Sequence, residues 1–187
     1  MRKIYFISGP CGSGKTTFSA AFARHLVRQG GKPVYLIHGD QFHQGFIERE
    51  DKPEFFENGE ARDRMLWDDI LRFNWDCMMF TAERALGQNL DVVIDYVLED
   101  ELPRVRELAA KQGAALYYIV LTADGEELQR RIRQRGDMNL GERALFLKQE
   151  LEAMPENQGH LYDTTGKTTE DMLREISPDD YEIKTDP

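Results

Sequence analysis

The chain is expected to fold as one α/β domain, a doubly wound parallel sheet with helices on both faces. Two patterns predict this. Short apolar runs of strand length recur along the sequence, and they are continuous rather than alternating, as strands covered on both faces require. Between them lie stretches whose apolar residues repeat every three to four positions, the period of an amphipathic helix. Strands alternating with helices select a parallel sheet. A length of 187 residues and a hydrophobic fraction of 41% suit a single core.

Ile4 to Ile7 reads as the first strand, followed by a helix presenting Phe18, Phe22 and Leu26. Val34 to Ile37 is the second strand, and Met65 through Leu86 the next helix. Val92 to Ile94 and Leu116 to Leu121 are the third and fourth strands, with helices over Leu102 to Lys111 and Leu128 to Arg135. Glu142 to Ala153 and Thr169 to Ile176 have helical spacing, and Leu161 to Asp163 suits a short last strand. The domain is therefore expected over residues 1–176, with 177–187 a flexible tail.

Residues 41–64 mix charge, aromatics and glycine without clean periodicity, which suggests an inserted binding region. The stretch 41–75 supplies Phe42, Phe46, Phe55, Phe56, Trp67, Phe73 and Trp75. Part of it also fits a plain core, since Met65, Trp67, Ile70, Leu71, Asn74 and Met78 include helical spacings.

A net charge of -10 and a pI near 4.9 disfavour nucleic-acid backbones and anionic membranes as partners. Cys11 and Cys77 are too few for a disulfide framework or a Cys-rich zinc site, which suits a cytoplasmic protein. No apolar run is long enough to cross a bilayer. A monomer and a homodimer both fit.

Gly9-Pro10-Cys11-Gly12-Ser13-Gly14-Lys15-Thr16 matches G-x-x-x-x-G-K-[ST], after an expected strand and before an expected helix. Glycines let backbone N–H groups turn inward around phosphates, and the helix start adds its positive end. Lys15 is placed to reach the β- and γ-phosphates of ATP, and the Thr16 hydroxyl, next to Thr17, to ligate Mg2+. Cys11 occupies a variable position of the loop.

Asp95 closes the run Asp91-Val92-Val93-Ile94-Asp95 in the manner of a Walker B strand, and is the second expected Mg2+ ligand. Asp40 closes the second strand in His38-Gly39-Asp40, at the carboxyl edge where open α/β sheets hold ligands. It is the candidate to receive the proton of an acceptor hydroxyl; a turn-forming Gly-Asp is the plain alternative. His43 is a weaker candidate base.

Four arginines, Arg130, Arg131, Arg133 and Arg135, fall on one expected helix. With Leu128 and Ile132 as its buried stripe, Arg131 and Arg135 should point toward the body of the protein, Arg130 and Arg133 toward solvent. The glycine-bracketed stretch 136–141 beyond them suits a lid.

These motifs, in this order and spacing over about residues 1–176, resemble the small P-loop kinases, among them gluconate kinases, shikimate kinases and chloramphenicol phosphotransferases. Within that group the chain is most similar to bacterial members whose substrate is not assigned. The resemblance implies a five-stranded sheet in the order 2-3-1-4-5, ATP on the P-loop with Mg2+, and a small-molecule acceptor held after Asp40. It further implies catalytic roles for Lys15, Asp40, Arg131 and Arg135, and an adenine site near Thr164 to Lys167 that includes Thr165. Gly39 to His43 is reminiscent of the gluconate-kinase segment, but Gln44-Gly45-Phe46 departs from it.

Two alternatives stand beside a metabolite or antibiotic kinase. A nucleoside or nucleotide kinase would bind the acceptor's phosphate through Arg49, Arg62 or Arg64. An ATP-binding switch would need no acceptor pocket. The Asn-Lys-x-Asp motif of GTP-binding switches is absent, which favours ATP.

Overall fold

The structure is a computed structural model that describes residues 1–47 and 66–184. In chain order its strands are β1 (Arg2–Ser8), β2 (Val34–His38), β3 (Asp91–Asp95), β4 (Ala114–Thr122), β5 (Leu161–Asp163) and β6 (Glu182–Ile183). Its helices are α1 (Lys15–Gly30), α2 (Asp40–His43), α3 (Trp67–Gly87), α4 (Leu102–Gln112), α5 (Gly125–Arg135), α6 (Gly141–Ala153) and α7 (Thr169–Glu175).

Five strands pair in parallel in the order β2-β3-β1-β4-β5, as expected. Residue alternation along β1 divides the core. Ile4 and Phe6 face one layer, with Trp75, Met78 and Leu86 of α3 and Val105 and Leu108 of α4. Tyr5 and Ile7 face the other, with Phe18 and Phe22 of α1 and Met172 of α7. Both faces are covered, so the strands carry apolar residues at every position.

The chain ends differ from expectation. Residues 182–183 form β6, antiparallel to β4 through the pairs Leu116↔Ile183 and Tyr117↔Glu182. β5 pairs only with Val120 to Thr122, leaving the first half of β4 an open edge. Ile183 is buried in the same core layer as Leu116, so residues 177–184 are docked by apolar burial rather than loose. Met65, the expected start of the helix observed as α3, lies outside the described residues, as do Arg49, Phe55, Phe56, Arg62 and Arg64.

The register sets the site. Ile7 of β1 stands opposite Asp95, and so does His38 of β2. The carboxyl ends of three adjacent strands therefore meet where the loop from β1 to α1 begins. Gly39 follows β2 in a helical conformation, and a Cβ on it would lie 2.4 Å from the Tyr96 ring and 2.7 Å from Met78 Sδ. Space rather than backbone freedom requires glycine here. Gly39→Ala is expected to destabilise the fold by about 1–3 kcal/mol through overpacking. Urea unfolding measures it; an unchanged midpoint would mean that Tyr96 and Met78 move aside freely.

Candidate functional site

Residues 9–14 link β1 to α1 and are clamped from two sides. Gly9 has φ +141°, and a Cβ there would lie 2.2 Å from the Leu121 carbonyl oxygen of β4. Gly12 has φ +81°, and its Cβ would meet the Leu128 carbonyl at 3.0 Å and Ile132 at 3.2 Å, both on α5. Only glycine tolerates that combination of conformation and contact.

Inside this loop Lys15 is buried, and its ammonium donates to the Pro10 carbonyl at 3.1 Å. Burial pulls its pKa down; Cys11, Asp40 and Asp95 oppose that, and Arg135 reinforces it. The Ser13 hydroxyl is buried without a hydrogen-bond partner among the described residues. No acidic residue occupies the first turn of α1. A buried cation with no carboxylate bound to it among the described residues, an orphaned hydroxyl and an uncontested helix N-terminus suit a phosphate chain.

Asp95 ties three elements together. Its Oδ1 accepts from Thr16 Oγ1 at 3.2 Å and its Oδ2 from Ser19 Oγ at 2.6 Å. His38 Nδ1 lies 2.5 Å from the same Oδ2, placed to donate in its Nδ1-protonated tautomer. The hydroxyl of Thr16 and the carboxylate of Asp95 form a hard-oxygen pair of the kind Mg2+ takes together with phosphate oxygens. Ser19 and His38 escaped the sequence reading, because only the register of β2 against β3 and one turn of α1 bring them to Asp95.

The α5 arginines divide differently from the helical-wheel expectation. Arg131 has 20% of its side chain exposed, and its guanidinium donates to the carbonyls of Thr164 at 2.8 Å and Gly12 at 3.3 Å and to Thr164 Oγ1 at 2.9 Å. Arg135 is 59% exposed and pairs with Asp137 at 2.5 Å. Glu127 accepts from both Arg130 and Arg131, and these hydrogen bonds, Arg130's first, draw its carboxyl down to about 2. Arg130 is exposed, as expected, and also rims a cavity beside Arg131. Arg133 is exposed, as expected.

That cavity, of about 550 Å³, is lined by Ser13, Gly14, Thr17, Arg131 and the segment from Gly166 to Glu170. Thr165 lies aside from it. Its hydroxyl donates to Asp163 Oδ1 at 2.6 Å and accepts from the Asp124 N–H at 2.8 Å. Its neighbours Gly166, Lys167 and Thr168 occupy the place expected of it.

A second cavity, of about 400 Å³, opens on the other side of the loop. Cys11, Asp40, His43, Tyr96 and Arg135 line it, with Trp67, Trp75, the run Glu99 to Glu101, Leu140 and Arg143. Asp40 begins α2 with an exposed side chain, within electrostatic reach of Lys15. Asn74 is fully buried behind this wall, where its Nδ2 lies 3.1 Å from the Tyr96 hydroxyl and 3.2 Å from His43 Nδ1. Of the expected 136–141 lid, Leu140 reaches the cavity. The acidic run after β3 carried no sequence signal, since charge at a helix start is ordinary.

A family model described as an AAA domain matches residues 6–154. The chain is 26% identical over 148 residues to a guanylate kinase of Geobacter sulfurreducens, covering 71% of this chain and 64% of that protein. The match thus spans less than two thirds of that relative's length. Among solved structures, an APS kinase from Mycobacterium tuberculosis in complex with AMPPNP and APS superposes with TM-score 0.65 at 17% identity, covering 93% and 94% of the two chains. A gluconokinase from Sinorhizobium meliloti gives TM-score 0.54 at 17% identity, covering 93% and 90%. These likenesses show the fold.

Because Arg131 is committed to the loop's own carbonyls and Arg135 is not, the two should behave differently without any ligand. Arg131→Ala is expected to lower stability by roughly 1–3 kcal/mol, through half-buried acceptors left unpaired, and Arg135→Ala by less than about 0.5 kcal/mol. Chemical denaturation of both variants checks this; equal losses would show that the Arg131 bonds do not brace the loop.

Proposed function

We propose, from the fact that the chain belongs to the AAA-domain family and from the geometry of its two cavities, that it is an ATP-dependent kinase acting on a hydroxyl group of a small molecule. One observation carries this reading. Two cavities meet at a single loop, with Ser13 and Gly14 in the wall of one and Cys11 in the wall of the other. A nucleotide in the first would extend its γ-phosphate past Lys15 toward the second. An acceptor beside Asp40 would then stand on the far side of the phosphorus from ADP, as in-line transfer requires.

In the proposed reaction the acceptor oxygen bonds to the γ-phosphorus, the bond to the β–γ bridging oxygen breaks, and ADP leaves. Asp40 takes the hydroxyl proton. Lys15 and Arg135 offer positive charge to the transferring group, and the loop N–H groups hold the remaining phosphates. Mg2+, when bound through Thr16 and Asp95, would neutralise charge on the β- and γ-phosphate oxygens. Ser19 and His38 hold the Asp95 carboxylate in a fixed orientation.

A nucleotide kinase is the second reading, supported by the similarity to guanylate kinase. It asks for cationic groups around the acceptor's phosphate. The arginines suited to that, Arg49, Arg62 and Arg64, lie outside the described residues.

Asp40→Asn keeps the size of the side chain and removes its basicity. It should reduce transfer by roughly 10²- to 10⁴-fold while ATP affinity stays within a factor of about three. Labelled transfer and calorimetry measure the two. Wild-type transfer by Asp40→Asn would reduce Asp40 to a turn residue. Lys15→Ala, by contrast, should depress both affinity and turnover, and unimpaired ATP turnover in it would remove the P-loop from the chemistry.

A further inference from the structure

The acceptor cavity has a charge pattern that narrows what it can hold. We propose that the acceptor is a small hydroxyl compound bearing a protonated amine, favoured over compounds bearing phosphate or carboxylate. This rests on the kinase reading above.

Among the described residues the cavity wall presents four carboxylates, Asp40, Glu99, Asp100 and Glu101, and two guanidiniums, Arg135 and Arg143. Both guanidiniums already face an acid, Arg143 with Glu99 at 3.6 Å and Arg135 with Asp137 at 2.5 Å. Asp40, Asp100 and Glu101 are left without an ion-pair partner among the described residues. These carboxylates come from two separate elements, the start of α2 and the turn entering α4. Asp40 and Glu101 converge on Tyr96, whose hydroxyl pKa is raised first by burial and then by both.

Glu101 is the most exacting of them. It is half-buried, and burial is the largest influence on its carboxyl, pushing its pKa upward. The N–H of Glu99 donates to it at 3.2 Å, and the start of α4 adds a partial charge, but no whole cation among the described residues stands against it. A carboxylate withdrawn from water without a counter-charge gains most from a ligand that brings one.

The rest of the wall agrees. Trp67, half-exposed, offers an electron-rich ring that attracts a cation, and the buried Trp75 and Tyr96 back the wall with apolar surface. Behind them Asn74 is fully buried, its carbonyl oxygen without a hydrogen-bond partner among the described residues. An anionic acceptor would meet the unpaired carboxylates and the γ-phosphate at once, and like charges at such range are strongly disfavoured. An ammonium group would instead bridge the two negative sides.

The test uses the full chain with Mg2+ and γ-labelled ATP on matched trios: glucosamine, glucose and glucose 6-phosphate; an aryl amino alcohol, its parent alcohol and its carboxylate. The amine of a trio is expected to exceed its parent by at least about tenfold in kcat/KM, and the anions to accept no phosphate. Glu101→Gln and Asp100→Asn should each shrink that advantage about fivefold or more, mainly through KM; Asp100 is exposed, so its variant keeps the test open if Glu101→Gln folds poorly. A preference for parents or anions, or an amine advantage that survives both substitutions, overturns the inference and leaves the kinase reading standing. Transfer to no member of either trio removes the kinase reading and this inference with it.

Discussion

A buried ammonium held by a carbonyl is the constraint on which the rest of the site depends. Lys15 rests against Pro10 with no carboxylate bound to it among the described residues, which leave its charge incompletely compensated. Interiors hold such a group at a cost of several kcal/mol unless a partner arrives. The carboxylates of Asp40 and Asp95 favour the charge from a distance, and Arg135 works against it. Among the described residues that balance leaves Lys15 short of negative charge, which under the proposed function a polyphosphate would supply.

Sheet order is what brings the two aspartates to that place. In the order β2-β3-β1-β4-β5 the strands ending in His38 and Asp95 lie successively beside the strand that enters the loop. Asp95 is then near enough for Thr16 and Ser19, both on the first turns of α1, to donate to it. Any slip of β3 against β1 by one residue would turn Asp95 to the opposite face of the sheet. The buried residues Val92, Val93 and Ile94 thus fix the carboxylate as much as its own hydrogen bonds do.

Most of this scaffold was legible in the sequence, because continuous apolar runs and helical spacing reflect the layers directly. The loop motif and the two strand-end aspartates were legible for the same reason, each lying at a predicted boundary. What escaped depends on pairing across the chain. His38 acquires its partner through the register of one strand on another, and Arg131 through the loop after β5, 33 residues on. Ile183 looked like part of a polar tail until the half-open edge of β4 was seen to receive it. Thr165 and Thr164 differ by one position, yet only Thr164 turns inward, to Arg131 and Ser13, and composition carries no trace of that choice.

Arg131 and Arg135 of α5 show why neighbouring positions on one helix face can carry unlike tasks. They stand one turn apart, about 6 Å along the axis, on a helix that also packs against Gly12. The guanidinium of Arg131 is spent on carbonyls of the loop and of Thr164, which fixes α5, the loop and the turn after β5 as one unit. A group so committed gives shape to the cavity beside the loop, but it can follow a moving charge only by breaking bonds that hold its surroundings. Arg135 carries a single exposed pair with Asp137 and lines the other cavity. Exchanging a solvent-screened carboxylate for a phosphate costs little. Under the proposed reaction the division follows from burial: the arginine already bound to the backbone holds the frame, and the one beside solvent meets the charge that moves.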